Sequence, residues 1–130
     1  MKKLLKILKI IIILFILFVA LIVSVTNGYI KFTEYRYTKA GYYVGHGAIF
    51  AEGIGKLAAD TKDPSKCEKI KLVGGFMEPT EYALKDICYY GFSQSNEDES
   101  LCSLIPNELG YGTGTTPESC RIQARANNQI

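Results

Sequence analysis

Ile10 to Val23 is an unbroken run of 14 apolar residues. Taken from Leu4 to Val25, with Lys6 and Lys9 near its edge, the stretch is 22 residues, or about 33 Å of helix, the thickness of a bilayer core. Only about 105 residues from Thr26 onward are left to fold outside it, which limits the remainder to one small domain. The long stems of Lys6 and Lys9 can run along the helix and place their ammonium groups among the headgroups. Lys2, Lys3, Lys6 and Lys9 then face the cytoplasm and the rest of the chain lies across the membrane. A cleavable signal peptide has a similar start, but Val23-Ser24-Val25-Thr26-Asn27 offers no Ala-x-Ala, and no cysteine follows closely enough for a lipoprotein site. The reading is an uncleaved anchor, and either outcome exports the C-terminal part.

The net charge of +2 excludes a strongly basic nucleic-acid binder. It also divides unevenly, because the four N-terminal lysines leave 11 basic against 13 acidic residues in the remainder. Tyr29, Phe32, Tyr35, Tyr37, Tyr42 and Tyr43 follow the span, interleaved with Lys31, Arg36 and Lys39. Such a mixture can bind single-stranded nucleic acid. Outside a membrane it suits a segment lying at the surface with rings at headgroup depth, and the partner expected is the membrane, with no nucleic acid.

Cys67, Cys88, Cys102 and Cys120 all lie in the exported part, which supports disulfides. Their gaps of 20, 13 and 17 residues contain no Cys-x-x-Cys, and the sole histidine, His46, is distant in sequence, so neither a zinc site nor a thioredoxin-like pair is expected. Asp63-Pro64-Ser65-Lys66-Cys67-Glu68-Lys69-Ile70 and Asp98-Glu99-Ser100-Leu101-Cys102-Ser103-Leu104-Ile105 share Asp, Ser, Cys and Ile at equal offsets, 35 residues apart. Thr116-Pro117-Glu118-Ser119-Cys120 repeats the opening. Asp or Thr can cap a helix there, with Pro at the first helical position in two cases, and each Cys falls on the first turn of a short helix.

Glu78 to Tyr90 reads as a longer helix, with Leu84, Ile87 and Cys88 on one side and Glu81, Lys85 and Asp86 on the other. Gly74-Gly75 precedes it and Gly91 ends it or lies just beyond. Two hairpins stapled by Cys67–Cys88 and Cys102–Cys120 are preferred, because each bridge then joins neighbouring helices. Cys88–Cys102 is the next choice, and all three connectivities stay open. Upstream, Tyr42 to Asp60 is rich in small residues. Tyr43, Phe50, Ile54 and Leu57 form one helical stripe, and Val44, Ala48, Ala51, Gly55 and Ala58 form a small-residue face where another helix could come close. Four glycines also allow a loose connector. The organisation expected is 1–26 cytoplasmic tip and anchor, 27–62 aromatic and Gly/Ala-rich connector, and 63–130 stapled domain.

The alternation of Asp-x-Ser-x-Cys-x-x-Ile with a helix ending in Asp86-Ile87-Cys88-Tyr89-Tyr90 resembles the cysteine-bearing helical-hairpin repeats of exported or membrane-anchored proteins of archaea and related environmental lineages. The resemblance spans about half the chain, Asp63 to Ala126, and implies an all-α, disulfide-stapled, repeat-like domain with no established activity. The last unit departs from it, because Cys120-Arg121-Ile122-Gln123 lacks the paired tyrosines.

Chemistry is sparse. His46 stands between two glycines with no nucleophile placed near it by a motif. Gly110-Tyr111-Gly112-Thr113-Gly114-Thr115-Thr116 matches a phosphate loop only in glycine content. Glu97-Asp98-Glu99 suits a helix start better than a calcium loop. Glu78, Glu81 and Asp86 could supply an acid and base pair, but the chain has no tryptophan to stack a sugar. The fold expected is therefore all-α, an N-terminal transmembrane helix followed by a small disulfide-stapled helical-hairpin domain. Its function is that of a non-enzymatic binding or structural module of the cell envelope, without cofactor or metal, whose partner is another envelope protein. Tyr89, Tyr90 and Phe92 are the candidate partner-binding residues, taken as exposed, although core packing explains three aromatic residues after a stapled helix at least as well. The alternatives are an extracytoplasmic thiol or redox protein and a subunit of a pilin-like filament or membrane complex. A pilin would carry a processing site and a glutamate in its first apolar segment, and neither is present.

Overall fold

The computed structural model describes residues 2–74, 80–107 and 113–129. The chain divides into two units, Met1–Arg36 and Tyr37–Ile130. Helix α1 (Lys2–Lys39) is a single 38-residue helix, long and apolar enough to cross a membrane. Tyr29, Phe32, Tyr35 and Tyr37 continue the same helix. Nothing between Val25 and Lys39 interrupts the backbone ladder, and Thr26 and Thr33 fold their hydroxyls back onto the carbonyls of Ile22 and Tyr29.

The second unit holds α2 (Ala48–Asp60), the 3-10 helix η1 (Pro64–Lys69), α3 (Glu81–Ser95), the 3-10 helix η2 (Glu99–Leu104) and α4 (Pro117–Asn127). Two short strands, β1 (Tyr43–Val44) and β2 (Ile70–Lys71), pair in parallel, Tyr43 with Ile70 and Val44 with Lys71. Among the described residues these four are the only strand residues, so the all-α reading holds. The stretch from Ala48 to Asp60 is a regular helix packed on α3; of the expected small-residue face Ala51, Gly55 and Ala58 are buried, while Ala48 is exposed and Val44 lies in β1. Of the larger stripe, Phe50 and Ile54 are half-buried against the core, Leu57 is exposed, and Tyr43, also half-buried, lies in β1 and not on the helix. Small residues win the interface because they let two backbones approach, which bulkier side chains prevent.

α3 begins at Glu81, where the Thr80 hydroxyl accepts from the Ala83 N–H. The sequence-expected start at Glu78-Pro79, and Gly75, lie outside the described residues. Gly91 does not end α3, which runs on to Ser95. A glycine is needed there for contact, since a Cβ would stand 2.8 Å from the Glu52 carbonyl oxygen of α2. Cys67 and Cys102 lie on 3-10 helices, not α-helices, while Cys120 occupies the first turn of α4. The two 3-10 segments share one local design. Each follows an Asp N-cap, carries its Cys at the fourth residue, and ends on a buried, extended Ile whose N–H returns to the Cys carbonyl. α4 has the fullest start, a reciprocal capping box between Thr116 and Ser119 with Pro117 in the first turn. The core is built from Ile70, Leu84, Tyr89, Phe92, Ile105, the small alanines and the four half-cystines.

Candidate functional site

The cysteines pair in order. Cys67–Cys88 ties η1 to α3 and Cys102–Cys120 ties η2 to α4, each with Cα atoms 5.6 Å apart. All four are fully buried. Beside the second bridge sits Asn96, just past α3 and also buried. Its Nδ2 donates to the Asp98 carbonyl at 2.7 Å and approaches Cys102 Sγ at 3.5 Å and Cys120 Sγ at 3.8 Å, while its Oδ1 accepts from the Asp98 N–H. One amide therefore sets the turn between α3 and η2 and lines the disulfide. Sequence reasoning missed it; the only signal was an asparagine immediately after an amphipathic stretch.

The end of α3 is finished by residues from the end of α4. Asn127 Nδ2 donates to the carbonyls of Gln94 and Asn96, both at 3.0 Å, and Asn128 Nδ2 donates to the Glu97 carbonyl at 2.5 Å. Carbonyls left open at a helix C-terminus are satisfied across the interface. The ends of α2, α3 and α4 also border one polar cleft of about 570 Å³, lined by Asp60, Lys62, Asn96, Glu97, Glu99 and Asn128 among others. Within the acidic run, Asp98 caps η2 and Glu99 Oε2 pairs with Arg125 at 2.8 Å. The hydroxyl and N–H of Ser100 hold the Asp98 carboxyl below its ordinary range. Among the described residues no three His, Cys, Asp or Glu side chains are arranged to hold a metal ion.

The three candidate partner-binding aromatics part company. Tyr89 and Phe92 are buried, 2% and 0% exposed, and belong to the core, which corrects the expectation that all three face outward. They lie three residues apart on the inner face of a helix that the sequence reading ended too early. Tyr90 is 40% exposed and borders a hollow of about 160 Å³ with Gln94, Thr113, Thr115, Ser119 and Gln123. Tyr89 donates its phenolic hydrogen to Glu68 Oε1 at 2.9 Å. Burial first, then that bond, raises the phenol well above its usual value. Glu68 also receives Lys85 at 3.3 Å, and Glu81 receives Lys85 at 3.5 Å and Lys71 at 2.9 Å. This ladder fastens η1 and β2 to α3.

Asp86, placed by the sequence on the polar side of its helix, is 2% exposed. Its carboxylate accepts the hydroxyl and the N–H of Thr113, and Thr113 in turn bonds Thr115 at 2.9 Å. The loop before α4 covers this side, which the helical pattern alone does not reveal. Glu81 and Asp86 are not brought together: five residues apart, they point about 140° from each other and hold different partners. Glu78 lies outside the described residues, as do Gly110, Tyr111 and Gly112 of the glycine-rich loop. His46 is exposed. No protein-family model, no curated protein and no solved structure matches this chain.

Proposed function

We propose that this is a single-pass membrane protein, N-terminus in the cytoplasm, whose folded unit lies outside and serves the cell envelope as a non-enzymatic binding or structural module. The observation that carries the reading is the combination, in one chain, of a helix long and apolar enough to cross a bilayer with two fully buried disulfides on its C-terminal side. Disulfides persist in oxidising compartments, so the unit that holds them belongs across the membrane from the lysine-rich start. Complete burial of every sulfur supports stapling over thiol exchange, which needs an accessible sulfur. The matching designs of η1 and η2, each bridged to a following helix, support two units of one repeat, and repeated hairpins present faces to partners. The partner in this reading is another envelope protein. Tyr90 and the hollow beside it offer it an aromatic ring with amides and hydroxyls around it.

Intact-mass spectrometry of the membrane-extracted chain, alkylated with and without reduction, tests location and staple together. A full-length mass with no alkylation before reduction is expected. Loss of the first two dozen or so residues would overturn the anchor, and alkylation without reduction would overturn the staple. For the partner, an amine-reactive cross-linker confined to the outside of intact cells is expected to give one discrete adduct that Tyr90→Ala weakens. Recovery of the chain alone at every cross-linker dose would overturn the binding role.

A further inference from the structure

The hollow beside Tyr90 is bordered by two neighbouring helices and by the loop that leads into the second. Tyr90 and Gln94, one turn apart, wall it from α3; Ser119 and Gln123, also one turn apart, wall it from α4; and Thr113 and Thr115 line it from the loop. Among the described residues around it none is charged. Its volume of about 160 Å³ is the share of about five waters, the bulk of one six-membered ring with its hydroxyls, and falls well short of the roughly 300 Å³ at which pockets for larger ligands begin.

Bonds within the unit already fix which of these groups can donate and which can only accept. The two carboxylate oxygens of Asp86, one turn before Tyr90 on α3, take the Thr113 hydroxyl hydrogen and, at 3.5 Å, the Thr113 N–H. With that hydroxyl hydrogen committed, Thr115 is the donor in its 2.9 Å bond to Thr113, so Thr115 Oγ1 keeps its lone pairs for another donor, and the carboxylate at the far end of the chain strengthens it as an acceptor. Gln123 gives an amide hydrogen to Asn127 Oδ1 at 3.1 Å, which orients its amide and leaves Oε1 as an acceptor. Gln94 is exposed and brings both an acceptor and two N–H donors.

From these groups we infer that the hollow is a binding site for one neutral sugar ring of an envelope glycan, stacked by its C–H face on Tyr90, with ring hydroxyls donating to Thr115 Oγ1 and Gln123 Oε1 and accepting from Gln94. The inference rests on the binding-module reading above and names the chemistry that the hollow takes. A phosphate or carboxylate finds no cation here, and a purely apolar side chain would leave the fixed acceptors without donors. A sugar ring carries hydroxyls that both donate and accept around an apolar face, which matches an aromatic ring set among acceptors and an amide. The chain holds no tryptophan, and the half-exposed ring of Tyr90 is the flat face that takes its place. The sugar belongs either to a polysaccharide or to a glycosylated envelope protein, and the hollow reads the same chemistry in both.

Saturation-transfer NMR on the full chain in lipid nanodiscs, with the methyl glycosides of glucose, galactose, mannose and N-acetylglucosamine at millimolar concentration, tests the site. At least one glycoside is expected to receive saturation at its ring C–H protons. Tyr90→Ala should weaken that glycoside about tenfold and Gln123→Ala about fivefold, whereas Tyr90→Phe, which keeps the ring, should bind it nearly as well. Tyr82→Ala removes an exposed tyrosine elsewhere on α3 and should change nothing. Thermal melts and the mass of the two intact disulfides show that each variant is folded. The glycoside that binds is expected to abolish the Tyr90-dependent cross-linked adduct where the partner protein carries the sugar, or to release the chain from isolated envelope polysaccharide where the polysaccharide does. No saturation of any glycoside, or saturation that survives Tyr90→Ala, would overturn the sugar site. If the adduct still depends on Tyr90 in that case, the binding module stands with a protein side chain in the hollow; if no adduct forms, that reading falls as well.

Discussion

Gly55 of α2 and Gly91 of α3 face each other where the two helices cross. A Cβ on Gly55 would run into the Cys88 carbonyl oxygen and stand 2.6 Å from the Phe92 nitrogen, while one on Gly91 would stand 2.8 Å from the Glu52 carbonyl oxygen. The obstacles are backbone atoms, which no rotamer change can move aside. Gly55→Ala and Gly91→Ala are each expected to lower the stability of the folded unit by about 1–3 kcal/mol or more, in urea titrations of the disulfide-intact protein. Gly53→Ala, on the open side of α2 with nothing within 4 Å, is the control, and it should be neutral or stabilising by up to about 1 kcal/mol. Equal effects at Gly53 and Gly55 would show that the helices do not cross here.

Each disulfide closes a loop of about 20 residues. On the loop-length argument C67A/C88A and C102A/C120A should each lose roughly 2–4 kcal/mol. Because all four sulfurs are buried, the native protein should also resist reductants and alkylating reagents until it is denatured. Rapid labelling under native conditions after mild reduction would mean that the bridges are more open than the core that contains them.

Asn127 serves α3 from the end of α4, donating to two carbonyls at 3.0 Å. Asn127→Ala leaves those carbonyls to water or to nothing and should cost about 1–2 kcal/mol. Asn127→Asp puts a carboxylate against them and should cost more. Hydrogen exchange localises the effect: the last turn of α3 and the Asn96 turn should lose protection before the first turn of α3 does.

The pH profile has two limbs with separate causes. Hydrogen bonds from Ser65 and Lys66 hold the Asp63 carboxyl below its ordinary 3.8, and Ser100 does the same for Asp98. A carboxyl lowered in the folded state stabilises above its unfolded value, and that contribution is lost as pH falls through the folded one, so stability should decline below about pH 4. At the alkaline end, Lys71 is raised by its bond to Glu81, and Tyr89 is raised above its ordinary 10.0 by burial and by Glu68. Groups raised in the folded state stabilise fully below their unfolded value and lose this as pH rises, so stability should decline above about pH 10. Thermal melts across this range should show a plateau between the limbs. Asp98→Asn should flatten the acid limb and Tyr89→Phe the alkaline one; an alkaline limb untouched by Tyr89→Phe would assign it to other groups.

The elements readable in sequence are those set by neighbours in the chain. An apolar run of membrane length makes α1 whatever follows it. Asp98 and Thr116 cap what comes next through bonds two or three residues away. The equal offsets of Asp, Ser, Cys and Ile in two segments give two equal 3-10 turns, and four cysteines without metal spacing give two disulfides. What stayed hidden depends on chain distant in sequence. Gly91 reads as a stop, yet sits inside α3 because α2 presses on it. Asp86 reads as solvated, yet is covered by Thr113, 27 residues on. Tyr89 and Phe92 read as a binding cluster, yet pack inward, and Asn96 and Asn127 gain their roles only once α4 lies against α3. Local bonds and hydrophobic length are written in a few adjacent residues, whereas the face a helix buries is decided by which other element arrives there, and that is a property of the assembled fold.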